Sequence, residues 1–236
     1  MKDFSLNGKY SVGILLTFVL LASVMLYVFA ILSFFTGIKN NTYAGFYISR
    51  IILWMVLLII FLYSMLVEKG PLLLIKDKKY NIRFYVKAII SLYLTCVLGS
   101  AFLNLLIHLI NGERTSDKLL QFSILFKNNY FLIIFTCLTA GVMEELLMRG
   151  YIQPRIERIY KSPVAGVIVS AALFGILHST YGTISQVVTT FFIGIIFALF
   201  YKKYSNLTIL IICHFMIDFI SLMIMSFIDF KHLSVF

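Results

Sequence analysis

The sequence predicts an all-α membrane protein, a polytopic bundle of about seven transmembrane helices. Of its 236 residues, 61% are hydrophobic and only 13% are charged, and the mean hydropathy is +0.98. Such values lie outside the range of soluble domains. The apolar residues also fall into runs of roughly 17–25 residues, the length that a helix needs to cross a bilayer. We therefore expect the protein to be embedded in a lipid bilayer.

Seven apolar runs give the number of helices. In chain order they cover 11–35, 51–67, 85–110, 130–148, 163–177, 183–201 and 207–228. The first run follows two lysines, as in a signal peptide, but its apolar part is too long and no small-residue cleavage site closes it. We therefore expect it to be a retained span. The loops 68–83 and 111–129 are long enough for short interfacial helices. Six apolar residues of the second are expected along the outer surface: Leu119, Leu120, Phe122, Ile124, Leu125 and Phe126.

The basic residues predict the orientation of the chain. A formal charge of +10 would suit a nucleic-acid partner, but the lysines and arginines fall in loops between apolar runs, so we expect no nucleic acid. With alternating spans, fourteen lie on one side and six on the other, which predicts a cytoplasmic N-terminus in a multi-pass cell-membrane protein. The fourteen are Lys2, Lys9, Lys69, Lys76, Lys78, Lys79, Arg83, Lys87, Arg149, Arg155, Arg158, Lys161, Lys202 and Lys203; the six are Lys39, Arg50, Arg114, Lys118, Lys127 and Lys231.

The fourth run contains two adjacent carboxylates, Glu144 and Glu145, followed by Arg149. An ionisable group at the centre of a membrane helix costs at least ~2.5–3.5 kcal/mol, so such groups usually serve a function and face a protein interior. Glu145 and Arg149 are four residues apart on one helix face and can pair. Glu144 points about 100° away around the helix and is left for other chemistry.

Three more polar groups lie within the later apolar runs: His178 at the end of the fifth, and His214 with Asp218 at i and i+4 in the seventh. Buried polar groups need partners, so we expect all six to meet in one cluster built from three helices. Small residues at small-xxx-small spacing would let these helices approach closely. They are Ala171 and Gly175 on the fifth helix and Gly194 and Ala198 on the sixth.

Depth in the membrane adds a condition to this cluster. At ~1.5 Å per residue, His178 lies roughly 22 Å from Pro163, whereas Glu144 lies only about 7 Å from Arg149. His178 and Glu144 lie at the same depth in the membrane if the fourth helix continues past Arg149 through residues 150–153. We therefore predict that Arg149 lies inside the cluster and not at the membrane boundary.

These residue types leave two hydrolytic designs open. In one, Glu144 is a general base toward a water that His178 also holds, while His214 and Asp218 stabilise an oxyanion. In the other, Glu144, His178 and His214 form the two-His, one-carboxylate set of a zinc hydrolase. Blander interpretations also exist, since a lone intramembrane histidine is often a packing residue and a pair of glutamates can relay protons in a transporter.

Three short motifs, in this order, resemble the CAAX protease and bacteriocin-processing (CPBP, or Abi) family of intramembrane endopeptidases. They are Glu144-Glu145-x-x-x-Arg149, Phe174-x-x-x-His178 and His214-x-x-x-Asp218, with Phe192-Ile-Gly194 and Ser205-Asn206-Leu207 also fitting the family pattern. The match covers about 130–222. It divides the chain into N-terminal transmembrane helices and loops (1–129), which carry no motif, and a catalytic helix core (130–228).

The resemblance implies a membrane endopeptidase with a conical cavity open to the cytosol. By it, Glu144 activates the water with His178, Arg149 holds Glu145, and His214 faces the oxyanion. The eukaryotic prenyl endopeptidases have Asn where this chain has Asp218, so Asp218 must be protonated, orient His214 or help hold a metal. Members are classed as metallopeptidases, yet a metal-free glutamate mechanism is also argued for them. A zinc ion would be held by Glu144, His178, His214 and Asp218.

The leading hypothesis is therefore an endopeptidase that cuts a small membrane-associated peptide or protein, such as a pheromone or bacteriocin precursor. The short chain without long loops is typical of a bacterial member. The first alternative is a non-catalytic membrane regulator or bacteriocin-immunity protein on the same fold. The second is a proton-coupled transporter using Glu144 and Glu145, which the missing internal repeats and missing broken helices disfavour.

Overall fold

The fold is a bundle of antiparallel membrane-length helices, given by a computed structural model that describes residues 5–37, 42–112, 121 and 124–227. Within those ranges the regular structure consists of helices, and seven of them are long and apolar enough to cross a membrane. The predicted all-α polytopic fold is confirmed. The spans are Leu6–Thr36 (α1), Tyr43–Leu66 (α2), Ile82–Asn111 (α3), Tyr130–Tyr160, Pro163–Tyr181, Ile184–Tyr204 (α7) and Leu207–Phe227 (α8).

The fourth span is one continuous helix with a change of winding. It comprises an α-helix Tyr130–Glu145 (α4), a π-helical segment Leu146–Ile152 and an α-helix Gln153–Tyr160 (α5). Pro154 lies at the start of α5, where it supplies no backbone N–H to the preceding turn. π-helical turns are rare and are found frequently at functional sites. The predicted continuation of this helix past Arg149 is confirmed.

The fifth span is an α-helix over Pro163–Leu177 (α6), as predicted, followed by a 3₁₀ turn over His178–Tyr181. Ser162 caps its N-terminus by accepting a hydrogen bond from the Ala165 N–H, and Pro163 occupies the first position, where a missing N–H costs nothing. The turn at His178 therefore comes directly after a rigid α-helix.

Close backbone contacts bring the site-bearing helices together. A Cβ added to Gly194 on α7 would lie 3.0 Å from the Ala171 Cα on α6. A Cβ on Gly141 of α4 would lie 3.1 Å from the Ile211 carbonyl oxygen and 3.2 Å from the Phe215 nitrogen of α8. The small residues thus allow α6 to lie against α7 and α4 against α8, which places Glu144 and Glu145 beside the helix that carries His214.

Three apolar cores join the first three helices to the later ones. The largest combines residues of α1 and α2, such as Leu21 and Ile60, with Met148 of the π segment and Phe174 of α6. A second joins α3 to α7 and α8, and a third contains Leu125 and Phe126 packed with α2 and α4. Leu125 and Phe126 are buried, so their expected place on the outer surface was wrong, whereas Ile124 is exposed. The rest of that predicted interfacial helix lies mainly outside the described residues.

The segment between α2 and α3 is irregular, without the short interfacial helix that its length allowed, and it closes the end of the bundle near α8. The Asp77 carboxylate accepts hydrogen bonds of 3.0 and 3.1 Å from the Leu207 N–H, the first residue of α8. The Asn206 side chain donates to the Lys78 carbonyl at 2.7 Å. An acidic side chain at a helix N-terminus satisfies free N–H groups and complements the helix dipole.

Two arginines were wrongly assigned to loops. Helix α2 begins at Tyr43, eight residues before the apolar run, because Thr42 caps it by accepting from the Gly45 N–H, and Arg50 is thus inside a span. Arg155 is fully buried in α5, and Arg149 is inside the bundle. Without these three, the basic residues divide twelve against five, which leaves the predicted orientation unchanged.

Candidate active site

The centre of the polar cluster is an ion pair between Glu145 and Arg149. Arg149 Nη1 donates to Glu145 Oε1 at 2.8 Å, and both side chains are almost fully buried. The guanidinium lies over the rings of Phe174 and Phe197, 4.7 and 5.4 Å from their centroids. Two aromatic faces and a carboxylate therefore stabilise the cation in a place without water.

The same carboxylate holds the histidine of α8. Glu145 Oε1 lies 2.8 Å from His214 Nδ1, so one oxygen joins the arginine and the imidazole. A carboxylate at Nδ1 fixes the tautomer and the orientation of a histidine ring and directs its Nε2 to the opposite side. Glu145 is thus a positioning residue for His214, a link that the i and i+4 pairing with Arg149 did not reveal.

On the opposite side, His214 Nε2 faces two further carboxylates. It lies 3.5 Å from Asp218 Oδ2 and 3.8 Å from Glu144 Oε2. The Glu144 and Asp218 side chains are 27% and 34% exposed, in contrast to buried Glu145. The Glu144 Oε2 atom itself is buried and has no hydrogen-bond partner among the described residues. A buried oxygen without a partner beside an accessible space is suited to bind a water molecule.

His178 lies at the edge of this cluster. Its Nδ1 is 2.9 Å from the Phe174 carbonyl oxygen, so with the proton on Nδ1 its Nε2 is an acceptor. Phe174 packs against both imidazoles, with centroid distances of 4.6 Å to His178 and 6.2 Å to His214. Among the described residues, no hydrogen bond joins His178 to Glu144, so it stands near the bonded set without being part of it.

The proposed metal ligands can be tested against these positions. A zinc site needs three or four ligand atoms that converge at about 2.0–2.2 Å from one point. Across the described part of the chain, no three His, Cys, Asp or Glu side chains form a group that could hold a metal ion. The arrangement of Glu144, His178, His214 and Asp218 thus does not fit a zinc ion, and we derive no step through one.

A second buried polar cluster lies about two turns farther along the fourth span. Arg155 Nε donates to both oxygens of Glu68 at 3.0 and 3.1 Å, and the Tyr151 hydroxyl donates to Glu68 Oε1 at 2.7 Å. The remaining Arg155 nitrogens donate to Glu68 and to the carbonyls of Pro71, Leu72 and Tyr151. Sequence reasoning missed this cluster, because Glu68 and Arg155 are 87 positions apart and each stands next to loop lysines.

The three free cysteines, Cys96, Cys137 and Cys213, are all buried in spans. Sequence reasoning also missed Arg50 of α2 as a member of the site region. Its guanidinium lies 5.2 Å from the centroid of the Phe46 ring, in the apolar core that joins α2 to α4 and α8. The sequence did contain a signal that Arg50 lies inside a helix. Thr42 is a good N-cap residue, and the eight residues from Tyr43 to Arg50 continue without a break into the apolar run.

Comparison with known proteins finds one similar family. A family model described as "Type II CAAX prenyl endopeptidase Rce1-like" matches residues 126–220, a range that contains all six predicted site residues. Searches of the curated proteins and of the solved structures returned no match. The matched family is one of CAAX-type intramembrane proteases. Residues 126–220 are therefore similar to this family, and the CPBP resemblance predicted from the three motifs is confirmed.

Proposed function

We propose that this protein is an intramembrane endopeptidase that hydrolyses a peptide bond in a small membrane-associated peptide or protein, using a water activated by Glu144. One observation carries the proposal. Glu144 Oε2 is buried without a hydrogen-bond partner in the described structure, 3.8 Å from a histidine whose ring Glu145 holds in place. A carboxylate left unpaired beside an oriented imidazole is what a general base needs.

The reaction follows from these positions. Glu144 takes a proton from the water while the water oxygen attacks the peptide carbonyl carbon. The carbonyl oxygen then becomes an oxyanion. The His178 Nε2 lone pair accepts the water's other hydrogen and aligns the oxygen. With both ring nitrogens protonated, His214 donates from Nδ1 to Glu145 and from Nε2 to the oxyanion.

Collapse of the oxyanion breaks the C–N bond, and Glu144 returns the proton to the leaving nitrogen. The products are a new carboxyl group and a new amine, so each atom of the water is accounted for. Asp218, 3.5 Å from His214 Nε2, orients the ring on the side where the oxyanion forms. Electrostatic stabilisation of such an oxyanion is usually the largest single contribution in acyl transfer.

Mass spectrometry of membrane-associated and secreted peptides tests this function. We would compare cells that produce the wild type, Glu144→Gln or no protein. Glu144→Gln keeps the size of the side chain and removes the base, so cleavage should fall by a factor of about 100 or more with unchanged protein abundance. Peptide patterns that are identical in all three cells would refute proteolysis.

The position of His178 favours a second candidate, a non-catalytic membrane regulator on the same fold. Its recorded hydrogen bond is to its own helix, and none reaches Glu144. If the biological activity of the protein is fully restored by Glu144→Gln, the regulator is correct and the peptidase mechanism is not used.

We further propose that the protein lies in a bacterial cell membrane with its N-terminus in the cytoplasm. The irregular segment before α3 contains Lys69, Lys76, Lys78 and Lys79, and basic loops remain on the cytoplasmic side. A reporter enzyme that works only outside the cell, fused after Lys79, should be inactive. Its activity would reverse the proposed orientation.

A further inference from the structure

Arg50 is a charged residue inside a membrane span, and the described part of the chain places no carboxylate at ion-pair distance from it. It is half-buried in α2, its guanidinium lies 5.2 Å from the centroid of the Phe46 ring, and its Nε donates weakly to Ser49 Oγ at 3.4 Å. By contrast, Arg149 and Arg155 both have carboxylate oxygens at hydrogen-bond distance. Among the described residues, no carboxylate lies within 4.0 Å of Arg50. A cation in this environment is costly, so its retention needs a reason.

Contacts between α2 and α4 fix the level of Arg50 relative to the site. The two helices run in the same direction, because Tyr47 packs against Phe135 and, farther along both, Trp54 Nε1 donates to Thr139 Oγ1 at 3.2 Å. These contacts place Arg50 level with residues 135–136 of α4. Glu144 follows eight or nine residues later, which is a distance of ~12–14 Å along the helix axis.

Packing shows which helices the Arg50 side chain approaches. Its guanidinium lies 5.2 Å from the centroid of the Phe46 ring. Phe46 is buried in the third apolar core with Leu132 and Ile133 of α4, and Phe215 and Phe219 of α8 pack against that core. The Arg50 guanidinium is therefore close to the two helices that carry Glu144 and Asp218.

We propose that Arg50 binds a carboxylate of the peptide substrate and so determines which peptides are cut. This inference rests on the proposed endopeptidase function. A guanidinium binds a carboxylate through two parallel N–H donors, and its terminal nitrogens have no such partner in the described structure. The positive charge also offsets the repulsion that Glu144 and Asp218 exert on a negatively charged peptide.

The geometry gives the position of that carboxylate. An extended peptide advances ~3.3–3.4 Å per residue, so the ~12–14 Å offset corresponds to about four residues. The carboxylate should lie about four residues from the bond that Glu144 attacks. It is either the C-terminal carboxylate of the peptide or an acidic side chain at that position.

The experiment uses the purified full-length protein and a peptide that it cuts, synthesised as the free acid, as the C-terminal amide, and as the amide with Glu at the predicted position. The wild type should cut at least one carboxylate-bearing peptide about 10-fold to 100-fold better in kcat/KM than the plain amide, mainly through KM. Preference for the free acid identifies a terminal carboxylate; preference for the Glu-bearing amide identifies a side chain.

Variants of Arg50 assign the preference to this residue. Arg50→Gln should remove the discrimination by weakening the carboxylate peptide alone, and Arg50→Lys should restore part of it, since lysine keeps the charge without the planar fork. If Arg50→Gln slows the acid and amide peptides equally, Arg50 only balances the charge of Glu144 and Asp218 and the proposal is wrong. If Arg50→Gln does not fold, the wild-type comparison of the three peptides still decides whether a carboxylate is recognised.

A binding measurement separates failure of this proposal from failure of the proposed function. Fluorescently labelled apolar peptides, as acid and amide, would be titrated onto Glu144→Gln protein, which requires no cleavage. Tighter binding of the acid, lost in Glu144→Gln/Arg50→Gln, supports Arg50 even if no peptidase activity is found. Equal binding of acid and amide, beside intact cleavage by the wild type, rejects Arg50 and keeps the peptidase.

Discussion

Two buried arginines lie on the same continuous helix, each paired with a carboxylate, yet their surroundings differ. In the pair of Arg155 and Glu68, every guanidinium nitrogen donates to the carboxylate or to a backbone carbonyl. In the pair of Arg149 and Glu145, Arg149 Nε and Glu145 Oε2 are buried without partners among the described residues. The first pair is saturated and the second is not.

The difference separates a structural pair from a functional one. Arg155 and Glu68 join α5 to the segment after α2, and their hydrogen bonds leave no group available to a ligand. Glu145 instead divides its Oε1 between Arg149 and His214. Buried groups with unsatisfied hydrogen bonds are few in native proteins, and catalytic sites are one place that retains them. Whether an ion pair in a membrane protein is structural or functional is therefore decided by which of its hydrogen-bonding atoms lack partners. The charges alone do not decide it.

The largest expected effect is on the saturated pair. Arg155→Met leaves Glu68 buried without its cation, which should lower the free energy of unfolding by about 3–5 kcal/mol. Thermal unfolding and yield in detergent would measure it, and cleavage per folded molecule should be preserved. Lys202→Met is the matched control, since Lys202 pairs with Glu157 at 2.8 Å with 42% of its side chain exposed and should contribute about 1 kcal/mol or less. Equal stability of the two variants would show that the buried pair contributes nothing special.

The unsaturated pair should respond in two measurements at once. Glu145→Gln removes the anion that Arg149 needs and the acceptor that orients His214, so both abundance and cleavage per folded molecule should fall. We expect about 10–100-fold in kcat, the range that follows from a displaced catalytic group. Glu144→Gln is the comparison, with cleavage lost and abundance kept. If Glu144→Gln cleaves normally and Glu145→Gln does not cleave, Glu145 is the general base and Glu144 is the positioning residue.

The smallest effect is expected at Asp218. Asp218→Asn keeps the shape and can still contact His214, so the rate should change by about threefold or less, under 1 kcal/mol in the activation barrier. Asp218→Leu, which removes every polar contact, should lower the rate more. The metal content of each purified protein would be measured together with its cleavage rate. Stoichiometric zinc in the wild type that is lost with activity in Asp218→Asn would assign Asp218 as a ligand and replace the mechanism proposed above.

The sequence by itself determined the spans and five members of the polar cluster, which are Glu144, Glu145, Arg149, His214 and Asp218. The length of an apolar run follows from the thickness of a bilayer, which is why the seven spans were predicted from the sequence. The i and i+4 relation of Glu145 and Arg149 is fixed by the helix, and the structure shows that pair at 2.8 Å. The depth argument for the fourth span succeeded for the same reason, since helical rise is constant.

Only the tertiary structure decided which groups bond across helices. The packing of distant segments brings Glu68 to Arg155 and Glu145 to His214. It also sets the level of Arg50 beside α4. A hydropathy profile assigned Arg50 and Arg155 to loops, because it assigns every charge next to an apolar run to the membrane boundary. Inside a bundle, however, a guanidinium is stabilised by carboxylates, carbonyls and aromatic faces from other helices. Those partners are adjacent in space and far apart in the chain, so no local pattern identifies them.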